Sequence, residues 1–132
     1  MKFSINQIFF LLILLFGSCS QRTNKTLYEV KNPTTNQRAV LTILSPELNV
    51  GERYYVYILV DNEPVKGNNY GIVFSANMFD TVLPKDTSKI KMKWLSGDTL
   101  KINYDKSLKI HHQVIKTRDN VVVYEEDNTS KN

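Results

Sequence analysis

The feature that most constrains the fold is a strict alternation of polar and apolar residues in two neighbouring segments. Residues 89–94 read Lys-Ile-Lys-Met-Lys-Trp, and residues 99–104 read Thr-Leu-Lys-Ile-Asn-Tyr. A period of two places successive side chains on opposite faces of a β-strand, so each segment has one buried face and one solvated face. Residues 95–98 (Leu-Ser-Gly-Asp) have the composition of a turn. The sequence therefore predicts a β-hairpin.

The register of this hairpin follows from its apolar faces, which coincide when Trp94 lies opposite Leu100. A shift by one residue would mix buried and solvated side chains. The turn is then centred on Gly97, for which we expect a positive φ angle. The remaining pairs are Met92 with Ile102, Ile90 with Tyr104, Lys93 with Lys101, Lys91 with Asn103 and Lys89 with Asp105.

The rest of the chain after residue 26 also favours strands, because no window there has a good helical period. Further strands are predicted at 38–44, 53–60, 70–76 (with a bulge at Gly71), 109–116 and 120–126, and residues 88–126 are expected to form a four-stranded antiparallel meander. The predicted fold class is all-β, a single antiparallel β-sandwich or small barrel of about seven or eight short strands. A chain of 132 residues is long enough for one such core.

The N-terminus has the pattern of a signal peptide. Met1 and Lys2 are followed, at residues 8–16, by nine consecutive apolar residues. Nine helical residues span about 14 Å, half of the roughly 30 Å hydrocarbon thickness, so a stable transmembrane helix is not expected. We interpret residues 1–18 as a cleavable signal peptide.

The apolar run ends at Phe16-Gly17-Ser18-Cys19, which resembles the lipobox of bacterial lipoproteins. The resemblance implies that the signal is removed before Cys19, whose thiol receives a diacylglycerol and whose amine is acylated. Phe16 stands where that family prefers Leu, Val or Ile. An ordinary secretory signal with an incidental cysteine is the alternative. Several acyl chains give stable membrane anchoring, since each buried CH₂ contributes about 0.8 kcal/mol.

The predicted organisation follows from this anchor. Residues 19–26 comprise the lipidated cysteine and a flexible polar tether, residues 27–126 the β domain, and residues 127–132 a disordered tail. Ser20 is not the aspartate that retains lipoproteins in the inner membrane of enteric bacteria, and no acidic run follows Cys19. The resemblance therefore favours an outer-membrane lipoprotein that faces the periplasm.

Composition and motifs argue against several function classes. The net charge of +4 is mild, so we expect no nucleic-acid partner. The single cysteine excludes an internal disulfide, and no cofactor is expected beyond the lipid on Cys19. His111 and His112 are adjacent, and on a regular strand they would point to opposite faces and could not share a metal without a bulge. No metal site is therefore predicted. No catalytic residues are predicted either, because Ser45 and Ser75 have no identifiable partner.

Two surface features are candidates for an interaction face. Lys91, Lys93 and Lys101 should cluster on the outer side of the hairpin, where they could bind an acidic lipid, lipopolysaccharide or protein surface. Protection of the sheet edge from aggregation is the alternative explanation. Tyr55 and Tyr57 should share one face of their strand and could form a contact surface, whereas packing within the sheet is the alternative.

Two shorter resemblances are also present. Residues 93–104 are similar to the closing hairpin of some uncharacterised small bacterial membrane-attached proteins, in which a strand ending in Trp-Leu is followed by an acidic turn and a Leu-x-Ile-x-Tyr strand. Residues 32–41 loosely resemble an upstream turn and strand of the same proteins. Residues 80–82 and 98–100 resemble the Asp-Thr-apolar O-glycosylation motif of Bacteroidota.

These observations predict a lipid-anchored bacterial envelope protein with a non-enzymatic domain that binds a partner or supports an assembly. The alternative is a periplasmic module that binds a small ligand or acts as an inhibitor or immunity protein. A concave pocket would favour the alternative, and a flat face of tyrosines or lysines would favour the first hypothesis. An enzyme would require a pocket that joins a histidine to a carboxylate.

Overall fold

The computed structural model describes residues 24–44, 52–66, 70–78 and 87–128. This part of the chain contains eight strands: β1 (Asn24–Lys31), β2 (Gln37–Leu44), β3 (Arg53–Val60), β4 (Ile72–Asn77), β5 (Ile90–Trp94), β6 (Thr99–Asp105), β7 (Lys109–Gln113) and β8 (Val121–Asp127). A short 3-10 turn, Thr87–Lys89, precedes β5. None of the described segments is a helix that could cross a membrane. The all-β prediction is confirmed.

The strands form two sheets that enclose one core. The larger sheet has the order β1-β2-β3-β4-β7, and the smaller sheet has the order β5-β6-β8. Side chains from both sheets belong to a single buried cluster, which includes Leu41, Val56, Phe74, Trp94, Leu100 and Ile102. Burial of each such side chain contributes about 1.5–3 kcal/mol. The architecture is therefore a small β-sandwich, one of the two predicted arrangements.

Two aromatic side chains connect the edge strands β1 and β5. The Tyr28 hydroxyl donates a hydrogen bond to the Ile90 carbonyl at 2.7 Å, and the Trp94 indole Nε1 donates one to the Val30 carbonyl at 3.0 Å. Buried phenol and indole groups need such partners. Burial raises the pKa of Tyr28. These bonds hold the edges of the two sheets together on one side of the sandwich.

The predicted hairpin is confirmed as β5 and β6. Trp94 pairs with Leu100 and Lys93 with Lys101, and the apolar members of the ladder face the core. The other observed pairs are Met92 with Ile102, Lys91 with Asn103 and Ile90 with Tyr104. The strands predicted at 38–44, 53–60, 70–76, 109–116 and 120–126 correspond to β2, β3, β4, β7 and β8, with ends that differ by at most three residues.

Gly97 is required for space rather than for a left-handed backbone. The predicted positive φ at Gly97 is wrong, because Gly71 is the described glycine that has one, at 78°. A Cβ atom added at Gly97 would lie 2.6 Å from the Thr34 Oγ1 atom. Real Cβ atoms essentially never approach another heavy atom this closely. The β5–β6 loop therefore packs directly on the turn that precedes β2.

The predicted antiparallel meander over residues 88–126 is wrong. After the hairpin, β7 joins the larger sheet beside β4, and β8 returns to the smaller sheet parallel to β6. Parallel neighbours need a crossover connection, which β7 and its flanking loops supply. Each added strand covers an edge that would otherwise be unpaired. The alternation within a single strand does not specify which edge it joins, and the sequence pattern therefore misses this crossing.

Strand β1 has no counterpart among the predicted strands. The predicted tether includes residues 24–26, which form the start of this strand. The alternation of β1 is interrupted by a bulge, because Thr26 pairs with Thr42 while Tyr28 pairs with Leu41. At the other end of the domain, β8 includes Asp127, the first residue of the predicted tail. Cys19, Ser45 and residues 80–82 lie outside the described residues.

Candidate functional site

Strand β7 has a bulge at its two histidines. Ser75 of β4 pairs with His112 and Ala76 pairs with Ile110, so His111 is an extra residue between two ladder pairs. Ala76 and Ile110 pack in the core, whereas both histidines are exposed. In a regular strand, residues 111 and 112 would point to opposite faces. The bulge instead turns both imidazoles to the solvent side of the larger sheet.

Both histidines line a groove on the outer face of the larger sheet, which we call the histidine groove. Its other lining residues are Tyr55, Ile72 and Ser75, and its volume is about 400 Å³. Tyr55 pairs with Ser75 and Ser75 pairs with His112, so one row across β3, β4 and β7 supplies three of the lining side chains. Side chains on paired strands are held more firmly than side chains on loops.

A second bulge shapes the floor of the histidine groove. Val56 pairs with Phe74 and Tyr57 pairs with Ile72, so Val73 is the extra residue of β4. Val73 and Phe74 both pack in the core, and Ile72 packs with Tyr57 on the outer side of the sheet. The two bulges of β4 and β7 therefore act in opposite senses. One adds an apolar residue to the core, and the other adds a histidine to the groove.

Gly71 positions the start of β4. Its carbonyl accepts a hydrogen bond from the Ile58 backbone N–H at 3.0 Å, and a Cβ atom at Gly71 would lie 3.0 Å from the Ile58 carbonyl oxygen. The positive φ and this close approach both favour glycine. The bulge predicted at Gly71 lies two residues further along, at Val73.

The two tyrosines of the predicted contact surface have different surroundings. Tyr57 is only 1% exposed and packs with Val40 and Leu59 in a second apolar cluster on the outer face. Its hydroxyl accepts a hydrogen bond from Asn24 Nδ2 at 3.2 Å, and burial raises its pKa. The Tyr55 ring lies 6.3 Å from the Tyr57 ring and lines the groove. The expected contact surface of two tyrosines is therefore reduced to one. Tyr55 lines the groove, and the buried Tyr57 packs against it.

The three lysines of the predicted interaction face do share the outer side of the smaller sheet, but acidic residues accompany them. Lys101 forms an ion pair with Glu125, and the Lys91 Nζ atom lies 3.9 Å from Asp127 Oδ2. Lys93 lies opposite Lys101 on the edge strand β5. Both carboxylates belong to β8, and the parallel pairing of β8 with β6 places them beside the lysines. The surface has mixed charge, and an interaction with an acidic partner stays a prediction.

A polar cleft lies at the loop end of the sandwich. Asp98, Asp119, Gly97 and residues 35–37 line it, and its volume is about 480 Å³. Asp98 Oδ1 accepts hydrogen bonds from the Ser96 hydroxyl at 2.7 Å and the Thr99 hydroxyl at 3.0 Å, which lower the pKa of this carboxyl. Thr99 belongs to the predicted glycosylation motif at 98–100, whose modification stays a prediction. The Asp98 carboxylate is already engaged by its own loop.

The chemistry of the histidine groove follows from its row of side chains. Ser75 and His112 are directly opposite, which is half of the arrangement that a serine hydrolase uses, and a hydrolase also needs an orienting group. The described lining instead supplies a second imidazole beside the first. Two imidazoles with hydroxyl groups around them suit the binding of a polar ligand or an ion.

The sequence contained one signal for this site, the histidine pair itself. Residues 109–113 (Lys-Ile-His-His-Gln) break the period of two after Ile110, as expected where a strand has an extra residue. Ile72 and Ser75 give no such signal, because their role depends on which strands lie beside β4. Within the described residues, no group of three or more His, Cys, Asp or Glu side chains could hold a metal ion.

Comparison of the chain with protein-family models, curated proteins and solved structures found no match. The resemblances to lipoprotein signals and to membrane-attached hairpins therefore stay predictions.

Proposed function

We propose that this protein is a lipid-anchored protein of the bacterial cell envelope, with a β-sandwich that binds a small ligand in the histidine groove. The single observation that carries the binding role is the groove itself, which three adjacent strands and two bulges shape on one face of the sheet. Of the two hypotheses left open by the sequence, a concave site favours the ligand-binding module. The role of the domain is binding rather than catalysis.

The groove has properties that suit a small polar ligand. Its volume of about 400 Å³ lies within the usual range of about 300–1,000 Å³ for ligand sites. Ile72 and the ring of Tyr55 supply apolar surface, and Ser75 and the two histidines supply hydrogen-bonding groups. Such a combination of apolar walls and a few convergent polar groups gives both affinity and orientation.

The proposed anchor lies only a few residues before β1. Four residues, 20–23, separate Cys19 from Asn24, the first residue of the sheet. An extended chain covers at most about 3.6 Å per residue, so these five steps can span no more than about 18 Å. A domain tethered through Cys19 would stay close to the lipid headgroups. We place it on the outer membrane, facing the periplasm, as the lipobox resemblance implies.

Metabolic labelling tests the anchor. Cells that express the full chain are grown with an alkyne analogue of palmitate, and incorporation is compared between the wild type and Cys19→Ser. We expect label and membrane association in the wild type and the loss of both in Cys19→Ser. Ser20→Ala, which leaves the cysteine in place, is the matched control and should keep both. Label that persists in Cys19→Ser would overturn the anchor.

Site-specific photocrosslinking tests the groove. A benzophenone amino acid replaces Tyr55 in the groove or, as the matched control, Val123, which is 41% exposed on the opposite sheet. After irradiation in living cells, the intact mass of the purified protein is measured. We expect a discrete small-molecule adduct at position 55 and none at position 123. The same adducts at both positions would contradict a binding role for the groove.

A further inference from the structure

We propose that His111 and His112 together bind a divalent transition-metal ion that prefers nitrogen ligands, with Cu²⁺ bound most tightly. This inference rests on the proposed function, because it makes a metal ion the ligand, or part of the ligand, of the histidine groove. The observation that carries it is the β7 bulge, which places two adjacent imidazoles on one face and in one groove.

The bulge arranges the two imidazoles before any metal arrives. The Cα atoms of adjacent residues are about 3.8 Å apart, so side chains that leave the backbone on the same side can reach a common point. Ladder pairs on both sides of the extra residue, Ser75 with His112 and Ala76 with Ile110, fix the backbone there. The site therefore needs little rearrangement to form, which favours binding.

The donor atoms determine the class of metal. Imidazole nitrogen suits zinc, copper, nickel and iron, whereas magnesium and calcium require carboxylate and carbonyl oxygens. Ser75 and Tyr55, in the same row as His112, place hydroxyl oxygens on the same face. With two protein nitrogens, the other coordination positions are available to water or to a second ligand. Open positions of this kind belong to sites that exchange or act on what they bind rather than to structural sites.

A charge near the groove strengthens this selectivity. Arg53 lies in the next outward-facing row, paired with Asn77, and is exposed. Its positive charge opposes any cation that is held by charge alone. Coordination by imidazole lone pairs is therefore required, and hard cations such as Mg²⁺ should not bind.

Calorimetric titration tests the site. Cu²⁺, Ni²⁺, Zn²⁺ or Mg²⁺ is added to the full-length protein, purified in detergent and freed of metal with a chelator. We expect one ion per chain, an affinity for Cu²⁺ above those for Ni²⁺ and Zn²⁺, and no binding of Mg²⁺. His111→Gln and His112→Gln should each weaken Cu²⁺ binding by roughly tenfold or more, since even indirect supports of a metal site contribute about 10–100-fold.

The chain provides a matched control for the bulge. It contains only two histidines, so the swap His111→Gln/Gln113→His keeps the composition and an adjacent histidine pair. Gln113 pairs with Phe74, which faces the core, and the swapped pair therefore points to opposite sides of the strand. We expect this variant to bind Cu²⁺ as weakly as the single His111→Gln variant. Equal binding by the wild type and the swap would overturn the role of the bulge.

Two further results separate the inference from its alternatives. In the wild type, the electron paramagnetic resonance spectrum of bound Cu²⁺ should show hyperfine coupling to nitrogen nuclei, and the double variant His111→Gln/His112→Gln should lose it. Binding that survives in the double variant would overturn the proposal.

The crosslinking experiment at position 55 distinguishes a failure of the metal site from a failure of the proposed ligand-binding function. A crosslinked ligand without metal binding would overturn the metal site and leave the ligand-binding groove in place. Metal binding without an organic adduct would identify the ion itself as the ligand. Absence of both would overturn the two proposals together.

Discussion

The Asn32 side chain connects two loops that are distant in sequence. Its Nδ2 atom donates a hydrogen bond to the Gly97 carbonyl at 2.8 Å, and its Oδ1 atom accepts one from the Thr34 backbone N–H at 3.0 Å. Asn32 is buried, and so the turn before β2 and the β5–β6 loop are held together by a buried amide. This contact joins the two sheets at their loop end.

Replacement of Asn32 should destabilise the sandwich. Asn32→Ala removes the hydrogen bonds to the Gly97 carbonyl and from the Thr34 N–H, and a hydrogen bond of this kind contributes about 0.5–1.5 kcal/mol. Urea denaturation followed by tryptophan fluorescence measures the change, because Trp94 lies at this end of β5. Asn36→Ala, at an exposed position of the same turn, is the control and should change stability by less than about 0.5 kcal/mol.

Gly97→Ala should also destabilise the fold, because the new methyl group would collide with the Thr34 hydroxyl. Overpacking of this kind costs about 1–3 kcal/mol. Thr34→Ala removes the colliding oxygen, so the double variant should lose less stability than the sum of the two single variants. A double-mutant cycle by thermal denaturation measures this coupling. Strict additivity would show that the two positions are not in contact in solution.

The Tyr124 hydroxyl should contribute measurably to stability. It donates a hydrogen bond to the Val73 carbonyl at 2.6 Å and accepts one from the Val114 N–H at 3.1 Å. Tyr124→Phe keeps the ring, which stacks on Phe74 with centroids 5.9 Å apart, and removes only the hydroxyl. We expect a loss of about 0.5–1.5 kcal/mol by chemical denaturation, because the Val114 N–H also donates to the Val73 carbonyl at 2.9 Å and both groups keep a partner. Tyr70→Phe, whose ring is 71% exposed, should leave stability unchanged.

Alkaline pH should destabilise the protein through its buried tyrosines. Burial raises the pKa of Tyr124 from 10.0 to about 12, so the folded chain keeps a proton that the unfolded chain releases. The contribution to stability is complete below about pH 10 and decreases as the pH rises toward 12. Tyr28 and Tyr57, whose pKa values are also raised, act in the same direction. The free energy of unfolding, measured by denaturation from about pH 9 to about pH 11, should decrease less steeply in Tyr124→Phe than in the wild type.

Lys101 and Lys93 should differ in their salt dependence. Lys101→Met removes the ion pair with Glu125 and should cost at most about 1 kcal/mol in low salt and less in high salt. Lys93→Met is the matched control, since it removes a like charge opposite Lys101 and should be neutral or slightly stabilising. Denaturation in low and high salt measures both effects. Identical losses for the two variants would indicate that neither lysine has a specific partner.

Local patterns predicted local structure well in this protein. The register of Trp94 with Leu100 follows from the alternation together with the turn centred on Gly97, because a shift by one residue would bury a lysine. The partners of β7 and β8 could not be predicted, since the choice between sheet edges depends on how both sheets are packed. The histidine groove depends on that choice, because Ser75 and His112 meet only where β7 lies beside β4. The adjacent histidines were visible in the sequence, but the extra residue that turns them to one face was not.

The route of the last two strands has a consequence for the timing of folding. The chain leaves the smaller sheet after β6, adds β7 to the larger sheet and then returns with β8, whose Val122 and Tyr124 pack against the shared core. The larger sheet is complete only when β7 is in place, and the smaller sheet only when β8 is in place. The shared core therefore closes late in the synthesis of the domain. For a protein that we propose is exported as an unfolded chain, this order would keep it competent for translocation until β8 has been made.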